Sequence, residues 1–180
     1  KVKGSYLKKK IIYWLWFKLP ARRAKFITVI SEFTKAELSA IIPNYKHKIK
    51  VIYNPVNPTI KADADRTFNI ENPKILCIGT KSNKNLERIA AAVSGLNLEL
   101  FILGELSENQ IEFLRINKAH YKNLRQLSFE EVVQVYKNCD MVCFPSLYEG
   151  FGMPIIEAQA TGRPVLTSNL GAMKEVAGEA

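Results

Sequence analysis

From Lys74 onward, short apolar runs alternate with stretches of helical period. KILCIG (74–79), LELFILG (98–104), MVCFP (141–145) and PVLTS (164–168) have the length of buried strands, and a weaker run lies at 121–127. Between them, Leu86, Ile89, Ala90 and Val93 repeat at i, i+3, i+4 and i+7, and Phe129, Val132, Val133 and Tyr136 form a second apolar stripe. Ser107 with Gln110, and Ser128 with Glu131, have the spacing of capping boxes. A further helix is expected from Met153 and a short one from Ala172. Continuous apolar strands between amphipathic helices predict an α/β fold: a Rossmann-like parallel sheet with helices on both faces. Right-handed crossovers gather every strand-to-helix loop at the carboxyl edge of such a sheet, where ligands bind.

Before Lys74 the pattern is less regular. YLKKKIIYWLWFKLPARRAK reads as a basic, aromatic-rich helix broken near Pro20. FITVI (26–30) is a short strand, and SEFTKAELSAII a helix with Ser31 or Thr34 as N-cap; Thr34 with Glu37 fits a capping box. IKVIYNPV (49–56) is another strand, ended by Asn54-Pro55, and residues 57–73 carry the turn-forming residues of a linker. No element after KEVAGEA closes the sheet, and the front segment has no sheet of its own. The expectation is an internal piece of a longer protein.

Charge changes this picture in one place. Residues 1–50 hold 13 of the 26 Lys and Arg but only two acids, Glu32 and Glu37, so the net charge of +9 resides in the first quarter of the chain. Apolar residues, at 47%, suffice for an ordinary core. The longest apolar run, IIYWLWF, falls short of the ~20 residues that a membrane-spanning helix needs. The N-terminal basic patch is followed by no small-residue cleavage site, which makes a cytoplasmic location the expectation. Cys77, Cys139 and Cys143 lie in or beside apolar runs, as expected of reduced core cysteines, and no metal ligand set is discernible.

The candidate chemistry lies at two strand-to-helix loops. In EGFGMPIIE (149–157), Gly150 and Gly152 let the backbone approach a ligand closely, and Met153-Pro154 opens a helix whose first amides favour an anion. Glu149 and Glu157 flank this turn. A carboxylate so near a phosphate site is repelled unless it serves another part of the ligand, and vicinal hydroxyls are its natural partner. Phosphate on the amides, hydroxyls on Glu157 and a polar head near Glu149 describe a nucleotide diphospho-sugar. A solvated first-turn acid that complements the helix dipole is the alternative for Glu157. In GTKSNKNLER (79–88), Lys84 stands at a helix start, where the dipole disfavours cations, and makes better sense meeting an anion shared with the other loop. Lys81 offers the same, and exposed loop lysines are the alternative for both.

Taken together, EGFGMPIIEAQATGRPVLTSN and GTKSNKNLER resemble the donor-binding domain of retaining glycosyltransferases of the GT-B fold, in the group 1 (family 4) class that includes bacterial mannosyltransferases and glucosyltransferases. The two glutamates, separated by seven residues around G-F-G-x-P, look like the family's signature. ITVISEFTKAEL and IKVIYNPV resemble its passage between domains. The resemblance implies that residues 1–48 end an N-terminal acceptor domain and that 49–180 form a nucleotide-sugar domain stopping before its C-terminal helices. It implies that Glu157 holds the ribose and that Lys84 neutralises the diphosphate as the sugar leaves. Glu149 then lies near the transferred sugar, with the amides of Gly150, Phe151 and Gly152, beside Met153, contacting sugar or phosphate. Gly79, Thr80 and Lys81 line the phosphate loop. Thr80 stands where many relatives have a phosphate-pairing arginine, with Lys81 as the cation to compensate, and Lys174 stands where a proline is common. The implied activity is retaining hexosyl transfer from a UDP- or GDP-sugar to a glycan or lipid-linked acceptor, with no metal or other cofactor. This piece alone is expected to be inactive, because the glycine-rich loop of the N-terminal domain is missing.

Two other function classes remain. One is a non-catalytic nucleotide-sugar binder or a GT-B-type sugar epimerase. The other is a basic module at an anionic membrane surface through residues 1–25, where Lys8, Lys9, Lys10, Lys18, Arg22 and Arg23 accompany Trp14 and Trp16. The same segment packing against a missing domain is the plainer alternative. No base-reading motif supports nucleic acid as a partner.

Overall fold

The computed structural model describes residues 3–62 and 67–179, with only the backbone of residues 3–5. The chain divides into two compact units, Lys1–Asn54 and Pro55–Ala180.

In the first unit, α1 (Lys3–Tyr13) runs through a π-helical turn at Trp14–Lys18 into α2 (Leu19–Arg23). The helix is therefore not broken at Pro20. The Leu19 amide reaches back five residues to the Trp14 carbonyl, and this wide turn accommodates a ring that would clash in a regular α-helix. Lys48 Nζ then donates to the carbonyls of Ala21 (2.9 Å), Arg22 (3.2 Å) and Ala24 (2.8 Å), satisfying the acceptors that the helix end leaves open. Strands β1 (Ile27–Val29) and β2 (Ile49–Val51) pair in parallel around α3 (Glu32–Ile41) and a 3₁₀ turn at Pro43–Lys48. The β2 strand, shorter than the run 49–56, thus belongs with the first unit. Ser31 is the N-cap of α3, accepting from the Thr34 amide at 3.0 Å, and Thr34 lies inside the helix. Ala21, Val29, Ile42 and Ile49 form the small core, while Tyr6, Leu7, Trp14 and Trp16 are exposed.

The second unit is the parallel sheet. Its strands are β3 (Lys74–Ile78), β4 (Glu99–Leu103), β5 (Tyr121–Leu124), β6 (Met141–Phe144) and β7 (Val165–Thr167). Helices α4 (Leu86–Ala92), α5 (Glu108–Ile116), α6 (Phe129–Asn138) and α7 (Met153–Ala160) connect them, and α8 (Gly171–Ala177) follows. The order is β5-β4-β3-β6-β7, all parallel. Side chains of β3 go alternately to two cores: Ile75 and Cys77 meet Leu86, Ile89 and Leu114, whereas Leu76 meets Tyr136, Ile155 and Met173. Both faces of the strand are buried, as a continuous apolar run requires. Both capping boxes form. The three cysteines are buried and unpaired by disulfides, and a hydrogen bond with Cys143, reinforced by burial, pushes the Cys77 thiol well above its usual range.

The strand order reverses between β3 and β6: the chain moves outward through β4 and β5, then returns to β6 on the other side of β3. Such a switch point opens a crevice between the two following loops. Asp140 anchors the opposite end of these strands. Buried at the start of β6, it accepts from the Lys74 amide (2.8 Å) and the Asn69 amide (3.1 Å), tying the linker and β3 to β6. Asp140→Ala takes this acceptor from both amides; with Lys74 half-buried and Asn69 exposed, each falls at the low end of the roughly 1–3 kcal/mol for an unsatisfied group, and we expect a loss of about 2 kcal/mol. That corresponds to a fall of roughly 1–2 M in the urea midpoint. A shift below a quarter of that would show that these two bonds do not hold the sheet base.

Candidate functional site

The loops that leave β3 and β6 are stapled together at the switch point. After β3, Gly79 turns with φ +84°, a 3₁₀ turn spans Ser82–Lys84, and Asn85 takes a left-handed conformation before α4. After β6 the chain passes through Pro145–Glu149 to Gly152, whose φ of +114° leads into α7. The Leu147 amide donates to the Asn83 carbonyl at 2.8 Å, and Asn85 Nδ2 donates to the Pro145 carbonyl at 3.3 Å. Asn83 Nδ2 donates to both the Tyr148 carbonyl (3.0 Å) and Glu149 Oε1 (3.1 Å).

These staples bring Lys84 onto Glu149. Nζ lies 2.6 Å from Oε1, with each side chain 19% exposed, and also sits 4.6 Å from the centre of the Phe144 ring. The cation is therefore steered by a carboxylate and a ring face at once. Gly79 makes room for it: a Cβ there would stand 2.9 Å from Lys84 Cε. The opening of α7 has a similar constraint, since a Cβ on Gly152 would meet Ile155 Cδ1 at 3.1 Å. Pro154 occupies the first turn of α7, and no side chain caps that helix start. Phe151 is buried, so its ring packs while its main chain frames the turn. Gly150 and Met153 flank it, both half-buried.

The remaining expected residues are placed differently. Thr80 does not face Lys84. Its hydroxyl donates to the Glu105 carbonyl at 2.5 Å and its carbonyl accepts from Gln110 Nε2 at 2.7 Å, binding the loop after β3 to the one after β4. Lys81 lines a cavity of about 470 Å³ with Thr80, Ser82, Glu87, Glu105 and Gln110, and is not a partner of Glu149. Glu157, one turn into α7, accepts from the Tyr136 hydroxyl at 2.5 Å and bonds to neither Lys84 nor Glu149.

Sequence reasoning missed two residues here. Asn83 lies inside the quoted loop, but its two acceptors are 65 and 66 positions away. Tyr136 was read only as part of an apolar stripe. The available signal was a hydroxyl on a core-facing helix position, since a buried tyrosine normally finds a partner. Burial first, then the charge and hydrogen bond of Glu157, push the Tyr136 phenol far above its ordinary range. It stays protonated and can only donate to the carboxylate.

The sequence profile of the glycosyl transferases group 1 family matches residues 60–180. The chain belongs to that family. An uncharacterized glycosyltransferase of Methanocaldococcus jannaschii is 27% identical over 180 residues, covering 97% of this chain and 46% of the relative. The O-antigen chain mannosyltransferase RfbU of Salmonella typhimurium is 26% identical over 177 residues, covering 93% of this chain and 48% of its own. The chain thus spans about half the length of the curated relatives it matches. Among solved structures, Anabaena HepE in complex with UDP and glucose superposes with a TM-score of 0.74 at 17% identity, over 93% of this chain and 50% of that one. The fold is that of GT-B glycosyltransferases, and the five-stranded parallel sheet is its Rossmann-like layer.

Proposed function

We propose that the protein transfers a hexose, with retention of anomeric configuration, from a nucleoside diphospho-sugar to a glycan or lipid-linked glycan. The observation that carries this reading is Lys84 held at 2.6 Å from Glu149 at the switch point of the sheet. A fixed cation held against Glu149, the residue before the glycine turn, suits a departing diphosphate, whose developing charge is stabilised by groups already in place. Glu149, drawn to the same point, is positioned for the transferred sugar, and Glu157 for the ribose. RfbU, named a mannosyltransferase, and HepE, crystallised with UDP and glucose, support a hexose and a nucleotide donor. In this reading Lys84 and main-chain donors carry the diphosphate without a metal.

Calorimetric titration of the full-length protein with UDP and GDP, with and without EDTA, tests the donor site. One nucleotide should bind with micromolar affinity and be unaffected by chelation. NMR of the product formed from the matching nucleotide-sugar should show the anomeric configuration of the donor. Binding of neither nucleotide overturns the reading, and an inverted product overturns the retaining step.

The same reading places the protein at the cytoplasmic face of a membrane. Exposed Tyr6, Leu7, Trp14 and Trp16 beside Lys8, Lys9 and Lys10 support contact with anionic lipid. None of the described helices is long and apolar enough to cross a bilayer. Flotation of the same preparation with liposomes should then require anionic lipid; no flotation on either composition removes the membrane contact.

A further inference from the structure

The bond between Tyr136 and Glu157 is unlike the other contacts around the site, because it comes from the core. Tyr136 is 1% exposed, in the last turns of α6, and is clustered with Leu76, Val142, Ile155, Ala158 and Met173. A ring packed on all sides has little rotational freedom, so its hydroxyl is a fixed point. That hydroxyl donates to Glu157 Oε2 at 2.5 Å. Oε2 is occupied, and Oε1 has no partner among the described residues. A glutamate on a helix surface samples several rotamers, and restricting one costs side-chain entropy. Here the bond from Tyr136 supplies part of that restriction before any ligand arrives.

We infer that Tyr136 is a positioning residue for ribose recognition: it fixes the Glu157 carboxylate so that Oε1 is presented to the vicinal hydroxyls of the nucleoside diphosphate. The inference rests on the ribose role proposed for Glu157 and adds the residue that sets its geometry. Without the tyrosine hydroxyl, Glu157 keeps its charge and position on α7 but loses its fixed orientation. The consequence is confined to the part of the ligand that carries the 2′- and 3′-hydroxyls. Phosphate and sugar binding, which fall to Lys84 and the glycine turn, stay as they are.

Tyr136→Phe in the full-length protein keeps the ring and its packing and removes only the hydroxyl. The probes are whichever of UDP or GDP the wild type binds, and the 2′,3′-dideoxy form of the same nucleotide. Removal of one hydrogen bond to a charged group should weaken the ordinary nucleotide roughly tenfold. The dideoxy nucleotide should bind wild type and variant equally. In turnover, KM for the nucleotide-sugar should rise while kcat holds. A second variant, Glu157→Ala, should show the same loss of discrimination between the two nucleotides, and adding Tyr136→Phe to it, where the hydroxyl no longer has a carboxylate to orient, should change nothing more. Equal weakening of both nucleotides by Tyr136→Phe would mean a general structural effect and overturn the inference, as would no weakening of either. If the wild type binds neither UDP nor GDP, the proposed function fails and takes this inference with it. If the wild type binds and the variant binds identically, only the inference fails.

Discussion

Replacing Lys84 with alanine in the full-length protein should lower kcat/KM for transfer by about 10²–10³-fold, the usual consequence of deleting one donor aimed at developing charge. The expectation comes from how firmly the ammonium is placed. It has the Glu149 carboxylate at 2.6 Å, the Phe144 ring at 4.6 Å and the space above Gly79, in a loop that Asn83 and Asn85 tie to the neighbouring strand's exit. A cation so confined pays its ordering entropy during folding rather than during reaction. Lys84→Arg should recover little, because a planar, branched guanidinium does not fit the narrow passage beside Gly79 that the lysine stem follows. Initial rates at several donor concentrations decide the matter. A drop under threefold for the alanine variant would remove Lys84 from the chemistry.

Much of this site was legible in the sequence, and the legible parts share a cause. Apolar runs 74–79 and 141–145 are buried on both faces, and 98–104 on one face with the other half-buried; such strands need no partner information to be recognised. The start of α7 was readable because Gly152 and Pro154 are local signals of local geometry. Capping boxes at Ser107 and Ser128 are likewise written within four residues. What escaped depends on residues far apart in sequence. The bonds of Thr80 to the Glu105 carbonyl and to Gln110 Nε2 depend on how β4 exits next to β3. Continuation of the helix through Pro20 depends on a π turn that no propensity scale encodes. Tyr136 looked like one more apolar residue because its helix stripe is set by the ring, while its hydroxyl is used by a carboxylate 21 positions later. Chemistry-bearing residues could be named from motif spacing; their partners required the topology.

Gly79→Ala should impair transfer about a tenth as much as loss of Lys84 itself, and a matched glycine can show why. A left-handed conformation costs a non-glycine residue about 1–2 kcal/mol, so some destabilisation is expected at φ +84° whatever surrounds the new methyl. Gly95, with φ +79° and nothing within 4 Å of a built Cβ, carries the same backbone penalty in open space. At Gly79 the methyl arrives 2.9 Å from Lys84 Cε, the flexible end of a side chain, which relieves the clash by moving aside. Folding is thereby spared further damage, while Nζ is driven from its place against Glu149. Gly79→Ala and Gly95→Ala should therefore lose similar stability in urea denaturation yet differ in activity. The first should fall by about 10–100-fold in kcat/KM, short of the full loss because a displaced donor still acts at longer range; the second should stay within about twofold of wild type, in line with a surface change remote from the site. Equal activities for the two variants would mean that lysine placement, and with it the steric role of Gly79, does not govern the reaction.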